Sequence, residues 1–251
     1  MIDTHCHLDL PAFDADRDAV IARAQAAGVS GILVPAIRPR TWAALEVLVR
    51  GHACLRHAIG VHPQIVPELQ PDELADLEVR LAEACADAIA VGECGLDGGI
   101  GARELQSQIF RMHVRVARAL DKPLIVHILR AHDEAPRILR EEGPVRGILH
   151  SYSGGADLVA TYAALGMAFS FAGPVTYANA RKPVEAARAI PDELLLAETD
   201  APDQAPEPHR GGRCEPAFVA AVIAGLAAAR GSSPSEIAAL TTANARHLLG
   251  W

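Results

Sequence analysis

The chain of 251 residues has little of what marks a secreted or membrane-bound protein. Its five cysteines are an odd number with no C-x-x-C spacing, so we expect no disulfide framework and a reducing, cytoplasmic location. No apolar run reaches the roughly 18 residues that a membrane span requires. The first residues lack the basic and apolar regions of a signal peptide. No membrane partner is expected.

A basic surface is also missing. Lysine and arginine total 23 against 31 acidic residues, a formal charge of −8, so no global positive field would attract a polyanion. Any anionic substrate must be held by local cations or by metal ions. Aromatic residues make up only 4%, and Phe13 and Trp42 are too isolated to form a platform on which bases could stack.

Short apolar segments are abundant, and they alternate with amphipathic helical patterns. Near-continuous apolar runs are typical of parallel strands buried on both faces. Gly28 and Gly166 stand where helices would end before the next strand. The eight candidate strands are MIDTHCH, SGILVPAI, RHAIGVHP, AIAVGECGLD, KPLIVHI, RGILHSYS, MAFSFAGPV and ELLLAETDAP.

This alternation predicts an α/β fold, a (β/α)8 TIM barrel. An open doubly wound sheet is the alternative, but no phosphate-binding GxGxxG motif follows the first strand. We find no linker and no internal repeat, so residues 1–251 are predicted to form one domain. The longest irregular stretch, residues 201–216, follows the last strand, where a barrel would place a functional loop.

Potential metal ligands recur where the candidate strands end. Each one alone has an ordinary explanation, such as a hydrogen-bonded core histidine or an aspartate at a helix N-cap. A buried ionisable group is costly, however, unless it is paired or bound to metal. Their repetition at the C-terminal mouth predicts a shared metal site. The set is His5, His7, Glu93, His127, His150 and Asp200.

The motifs that contain these residues resemble those of the TatD family of metal-dependent hydrolases, within the amidohydrolase superfamily. The resemblance covers essentially the whole chain and is specific in combination. It is carried by DTHCHLD (3–9), AIGVHP (58–63), VGECGLD (91–97), KPLIVH (122–127), HSYSGG (150–155), LLAETDAP (195–202) and TTANARHLLG (241–250).

The resemblance implies two divalent metal ions bridged by Glu93, a carboxylate whose two oxygens can span ions about 3.5–4 Å apart. Imidazole-rich ligation favours zinc, manganese or iron over magnesium. One ion would be bound by His5, His7, Glu93 and Asp200, and the other by Glu93, His127 and His150.

The resemblance further implies a phosphodiesterase or nuclease, and a 3′–5′ exodeoxyribonuclease is the favoured version. Asp200 and Glu93 would be the catalytic residues, with Asp200 orienting or deprotonating the attacking water. The expected partner is a nucleic-acid end or a small phosphodiester, and no stable protein partner is predicted. Two alternatives stay open: a hydrolase of esters or amides, such as an aminoacyl-tRNA deacylase or a small-molecule amidohydrolase, and a non-catalytic metal-binding barrel.

Two residues are candidates for substrate binding. His62 follows the third strand and could equally pack near the ligands, whereas Arg130 could bind a phosphate or form a surface ion pair with Glu134. The chain departs from the family pattern at Gly98, where an aromatic residue is common, and at Cys214, where asparagine is common. These departures bear on substrate specificity and leave the metal ligands untouched.

Overall fold

The computed structural model describes all of the chain, Met1–Trp251. Its eight strands pair in parallel in chain order, so the predicted (β/α)8 barrel is confirmed. The strands are β1 Ile2–Asp3, β2 Gly31–Pro35, β3 Leu55–Ile59, β4 Ala90–Asp97, β5 Leu124–Leu129, β6 Gly147–Leu149, β7 Met167–Phe171 and β8 Leu195–Ala197.

Backbone hydrogen bonds near the mouth join the last strand to the first. The N–H of Thr4 donates to the Ala197 carbonyl at 3.3 Å, and the N–H of His7 donates to the Ala201 carbonyl at 2.8 Å. The first strand is shorter than predicted, because regular pairing ends at Asp3. His5 and His7 therefore lie in the irregular segment that follows β1, not on the strand itself.

Ten α-helices surround the strands. The helical pattern of residues 71–85 is divided into two pieces, α3 and α4. Gly28 and Gly166 follow α1 and α7 with φ of +87° and +82°, a conformation that glycine adopts without steric cost. The helices are α1 Arg17–Ala26, α2 Trp42–Arg50, α3 Pro71–Leu74, α4 Leu77–Ala84, α5 Arg103–Ala119, α6 Ala135–Glu142, α7 Val159–Ala164, α8 Arg181–Ala189, α9 Val219–Arg230 and α10 Pro234–Leu249. No single helix is long and apolar enough to cross a membrane.

The lower part of the barrel interior is an apolar cluster that we call the barrel floor. Every strand contributes one buried side chain to it, and α10 adds two more from below. A larger apolar cluster packs the strands against the helices. The floor consists of Ile2, Leu33, Ala58, Ala90, Ile125, Ile148, Ala168, Leu196, Ala245 and Leu249.

The floor explains which side chains reach the mouth. Side chains alternate across a strand, so the residue two positions beyond a floor residue also points inward. His127 follows Ile125 by two positions, and His150 follows Ile148 by two. Asp200 lies four positions beyond the floor residue of β8. Strand periodicity therefore accounts for His127 and His150, whereas Asp200 lies beyond the end of β8 and is directed inward by its loop.

Strand β4 departs from this alternation at its most important residue. Counting from the floor residue Ala90, the inward position would be Gly92, not Glu93. The pairing with β5 shifts register between Val91 and Cys94, the signature of a bulge, and bulges re-aim side chains. Glu93 is fully buried, while the Sγ of Cys94 lies 3.5 Å from a β5 carbonyl. The bulge thus turns Glu93 toward the mouth.

Candidate metal centre

Above the floor, the C-terminal mouth of the barrel opens into a cavity of about 540 Å³. Five of the six predicted metal ligands line this cavity, and the sixth, His5, is fully buried. The structure therefore brings the whole predicted set together at one place. The five lining ligands are His7, Glu93, His127, His150 and Asp200.

The first group of candidate ligands gathers around one oxygen of Glu93. His5 Nε2 and His7 Nε2 lie 3.2 Å apart, at 3.1 and 3.5 Å from Glu93 Oε2. Asp200 Oδ1 lies 3.7 and 3.6 Å from the same two nitrogens. Ligand atoms of a tetrahedral ion with bonds of about 2.0–2.1 Å stand roughly 3.3 Å apart. The spacing therefore suits ligands of one small cation.

The second group gathers around the other oxygen of the same carboxylate. His150 Nε2 lies 2.9 Å and His127 Nδ1 lies 3.3 Å from Glu93 Oε1, and the two nitrogens are 3.1 Å apart. Each oxygen of Glu93 thus faces its own set of imidazoles. This arrangement is the geometry that a bridging carboxylate requires.

Unpartnered polar atoms test whether these residues suit a metal. The side chain of Glu93 has no exposed surface, and neither of its oxygens makes a hydrogen bond. An uncompensated buried carboxylate is costly, and cations placed between it and the imidazoles would remove that cost. Oxygen and imidazole donors also suit divalent transition metals. The residues present therefore fit divalent ions.

His62 lies beside the second group but differs from its members. Its Nε2 stands 3.0 Å from Glu93 Oε1, while its Nδ1 accepts a hydrogen bond from the N–H of Gln64 at 3.0 Å. A neutral imidazole whose Nδ1 accepts carries its proton on Nε2. That nitrogen has no lone pair to offer a metal, so His62 is placed as a hydrogen-bond donor facing the cavity.

Two further carboxylates stand behind the candidate ligands. Glu198 Oε1 accepts from His150 Nδ1 at 3.2 Å, and Asp97 Oδ2 faces His127 Nε2 at 3.7 Å. Such partners fix the ring orientation of a ligating histidine. Glu198 was not among the predicted site residues, although in "AETD" it lies two positions beyond the floor residue Leu196 and directly after the end of β8.

Burial and neighbouring groups lower the pKa values of three side chains at the mouth. Burial, helped by the nearby His5, lowers the pKa of His7 to about 3, which leaves its ring neutral and able to bind metal. The facing imidazole of His127 lowers the pKa of Asp97 to about 2. Burial opposes ionisation of Glu93, but surrounding imidazoles outweigh it and hold the pKa of this carboxyl well below its usual value.

His150 carries the opposite shift. Burial alone would lower its pKa, but the flanking carboxylates of Glu93 and Glu198 outweigh burial and hold it well above the usual value. A histidine must lose its proton to bind a metal, so loading this group should release protons and should weaken as the pH falls.

The structure does not bring Arg130 into the cavity. Arg130 is exposed with φ of +51°, and no lysine or arginine lines the cavity at all. The alternative ion pair with Glu134 is not formed either, because Glu134 pairs with Arg103 at 2.7 Å. A Cβ at Gly98 would lie 2.3 Å from the Arg130 carbonyl oxygen, so no larger side chain fits this backbone.

A parallel eight-stranded barrel with clustered histidine and carboxylate ligands at its C-terminal mouth defines the class of the metal-dependent TIM-barrel hydrolases. Comparison with known proteins narrows this class. The family model described as "TatD related DNase" matches residues 2–250. The chain therefore belongs to the TatD family, and it is a metal-dependent hydrolase.

Relatives of similar length support this assignment. The chain is 35% identical to the metal-dependent hydrolase YabD of Bacillus subtilis, over 99% of this chain and 98% of that protein. It is also 35% identical to the metal-dependent hydrolase TatD of Mycobacterium tuberculosis, over 100% and 99%. The crystal structure of the TatD homologue YjjV from Escherichia coli superposes with a TM-score of 0.91 at 32% identity, covering 100% of this chain and 98% of that one.

Proposed function

We propose that this protein is a phosphodiesterase that removes nucleotides from nucleic-acid 3′ ends with a pair of divalent metal ions. The observation that carries the proposal is the environment of Glu93. Its two buried oxygens make no hydrogen bond, and each faces a separate set of imidazoles at 2.9–3.5 Å, two around Oε2 and three around Oε1. Zinc, manganese and iron suit these donors better than magnesium does.

When bound, two such ions would lower the pKa of a water molecule and stabilise negative charge on the attacked group. The protein would supply proton handling around them. Burial raises the pKa of Asp200 above its usual value, which suits a carboxylate that accepts a proton from water near neutral pH. The Nε2–H of His62 faces the same space and would donate a hydrogen bond to the substrate.

The shape of the cavity supports cleavage at a chain end. The ligands lie at the bottom of the mouth, directly above the closed apolar floor. A strand of nucleic acid cannot pass through a barrel that is filled below its active site. Only a terminal nucleotide would reach the ligands, as exonuclease action requires. The description of the family model as a DNase agrees with this substrate.

One observation favours a second candidate, the hydrolysis of a carboxylic ester or amide. No arginine or lysine lines the cavity, and the exposed carboxylate of Asp203 lies among its lining residues. Phosphates beyond the scissile one would find no protein cation there. Apolar side chains such as Ile37, Leu129 and Phe171 would instead suit an uncharged organic group.

A substrate panel separates the two candidates. Zinc-, manganese- and magnesium-loaded protein would be offered linear single-stranded DNA, the same DNA circularised, and carboxylic and aminoacyl esters, with Glu93→Ala protein as the control. The proposal predicts release of mononucleotides from linear DNA only. Ester cleavage without any phosphodiester cleavage would replace the first candidate with the second.

A further inference from the structure

A bridge of hydrogen bonds crosses one side of the mouth, from Ser151 through Gln204 to Asp200. Asp200 is its only candidate metal ligand. Ser151 Oγ donates to Gln204 Oε1 at 2.9 Å, and Gln204 Nε2 donates to Asp200 Oδ2. Both contacts fix the orientation of the Gln204 amide, because a reversed amide would place its oxygen against the carboxylate. The side chain of Gln204 lines the cavity, and its amide hydrogen-bonds to Ser151 and Asp200 rather than to an imidazole.

We propose that Gln204 is a positioning residue for Asp200. With Oδ2 held by the amide, Asp200 turns only Oδ1 toward His5 and His7, from which this oxygen lies 3.7 and 3.6 Å. The bridge thus selects which oxygen of Asp200 serves the first group of ligands. It also restrains the carboxylate from rotating to present both oxygens. This inference rests on the proposed metal-dependent function of the same site.

The far end of the bridge is itself anchored. The N–H of Ser151 donates to Glu198 Oε1 at 2.6 Å, and Glu198 also accepts from His150. The bridge therefore connects Asp200, in the first group of ligands, to Glu198, which holds His150 of the second group.

The backbone at the bridge is also unusual. Ser151, Asp200 and Gln204 have φ of +42°, +55° and +52°, values that residues other than glycine seldom adopt. Such conformations persist only where the surrounding structure fixes them. The three residues that form the bridge are thus held by their loops in the conformation that brings their side chains together.

The test removes the amide while keeping the size of the side chain. In Gln204→Leu, zinc affinity of the first group, measured by equilibrium dialysis, should fall about 10- to 100-fold, the usual effect of losing a partner of a metal ligand. The absorption spectrum of the cobalt-loaded protein should change with it. The kcat of the loaded enzyme should fall while KM changes little, because substrate binding does not use the bridge.

The matched control is Gln108→Leu, which removes an exposed amide that donates to Glu104 at 3.3 Å on α5. It should leave zinc affinity and the cobalt spectrum unchanged. Ser151→Ala should weaken zinc binding in the same direction as Gln204→Leu but less. The double variant should be no weaker than Gln204→Leu alone, because both substitutions break one bridge.

Several results would overturn the inference. These are unchanged zinc affinity and cobalt spectrum in Gln204→Leu, additive losses in the double variant, or an equal loss in Gln108→Leu. If Gln204→Leu does not fold, as judged by its thermal melt, unchanged affinity in Ser151→Ala decides against the bridge. Failure of every substrate would refute the proposed hydrolysis and leave the metal-binding result intact, so the two failures are distinguishable.

Discussion

The two ends of the barrel interior are built from the same strands but with opposite chemistry. The floor consists of apolar side chains, one from each strand, closed from below by α10. The mouth begins two residues further along several of these strands, and there polar atoms are buried without partners, both oxygens of Glu93 among them. A single strand such as β5 thus supplies Ile125 to the floor and His127 to the mouth.

This contrast separates the source of stability from the source of chemistry. Burying the apolar side chains of the floor stabilises the fold, whereas gathering ionisable groups without partners at the mouth opposes it. Ions that bind the folded protein would offset that cost. We therefore expect substitutions in the mouth to remove metal and activity, and substitutions in the floor to remove stability.

The largest effect is expected from Glu93→Ala. Removing the carboxylate that faces both groups of imidazoles should abolish binding of both ions and lower activity by at least about 1000-fold, a loss of several kcal/mol of metal-based stabilisation. The metal-free variant should still fold, as its thermal melt would show, so the lost activity would reflect the lost metal.

Cys94→Ala is the matched control for Glu93→Ala, since its buried side chain contacts a backbone carbonyl of β5 and not the ligands. Metal content and rates of both proteins would be measured side by side. Loss of metal in Cys94→Ala with retention in Glu93→Ala would show that the bulge in β4 turns the other residue inward.

The floor should respond in the opposite way. Leu33→Ala removes a fully buried floor side chain from β2, a strand that carries no candidate ligand. The free energy of unfolding should fall by about 2–5 kcal/mol, the usual cost of the lost burial and the cavity left behind. Urea unfolding and metal analysis check this together. A variant of unchanged stability that lost its metal would break the division between floor and mouth.

A more selective substitution within the mouth is Asp200→Asn. The amide keeps an oxygen where Oδ1 stands, so the fold should remain and the site should still load at saturating metal, although the contact with Gln204 is lost. The amide is, however, a poor base. We expect kcat to fall by at least about 100-fold, the scale of a lost general base, with a much smaller change in KM. Kinetics at saturating metal, with metal content measured on the same sample, decides. A near-native rate at full metal content would remove Asp200 from proton transfer.

Sequence patterns predicted the barrel from its alternation of apolar strands and helices, and strand periodicity also predicts the direction of two of the candidate ligands. His127 and His150 end apolar strands in plain alternation with floor residues, so their inward direction could be predicted from the sequence. Glu93 lies at the mouth, where its motif predicted it, but the physical reason is a bulge that no periodicity reveals.

Hydrogen-bonding partners across the mouth could not be predicted in the same way. Glu198 meets His150, and Gln204 meets Ser151, only because segments distant in sequence converge there. Gln204 reaches Asp200 within one irregular loop, whose conformation no periodicity predicts. The position of Arg130 could not be predicted from strand patterns either. Its left-handed backbone and the close approach of Gly98 are local features of the loops, and they leave its side chain outside the cavity.

A buried histidine outside the mouth sharpens the comparison. His113 on α5 is fully buried like His5, but its Nε2 accepts from the N–H of Val61 at 3.0 Å and its Nδ1 lies 2.7 Å from the Ile109 carbonyl. Both of its nitrogens have partners, whereas the Nδ1 of His5 has none. We therefore interpret His113 as a structural residue. Substituting it should change the stability of the protein and leave metal binding unchanged.

Burial lowers the pKa of His113 to about 4. The unfolded chain, with a histidine pKa of about 6.5, binds more protons below pH 6.5, so this residue's contribution to stability is present at neutral pH and is lost as the pH falls toward 4. Between pH 7 and pH 5 the loss should be about 2 kcal/mol. Urea unfolding of His113→Gln, whose amide oxygen can still accept from Val61, should show a shallower pH dependence. An identical slope would contradict this interpretation.

The most direct test of the account is the number of ions that the mouth binds. Protein stripped with a chelator would be saturated with zinc or manganese, freed of excess ion, and analysed for metal by elemental analysis. Two groups of ligands that share Glu93 predict a content approaching two ions per chain. A maximum of one ion per chain would contradict the bridging role of Glu93 and the binuclear mechanism built on it.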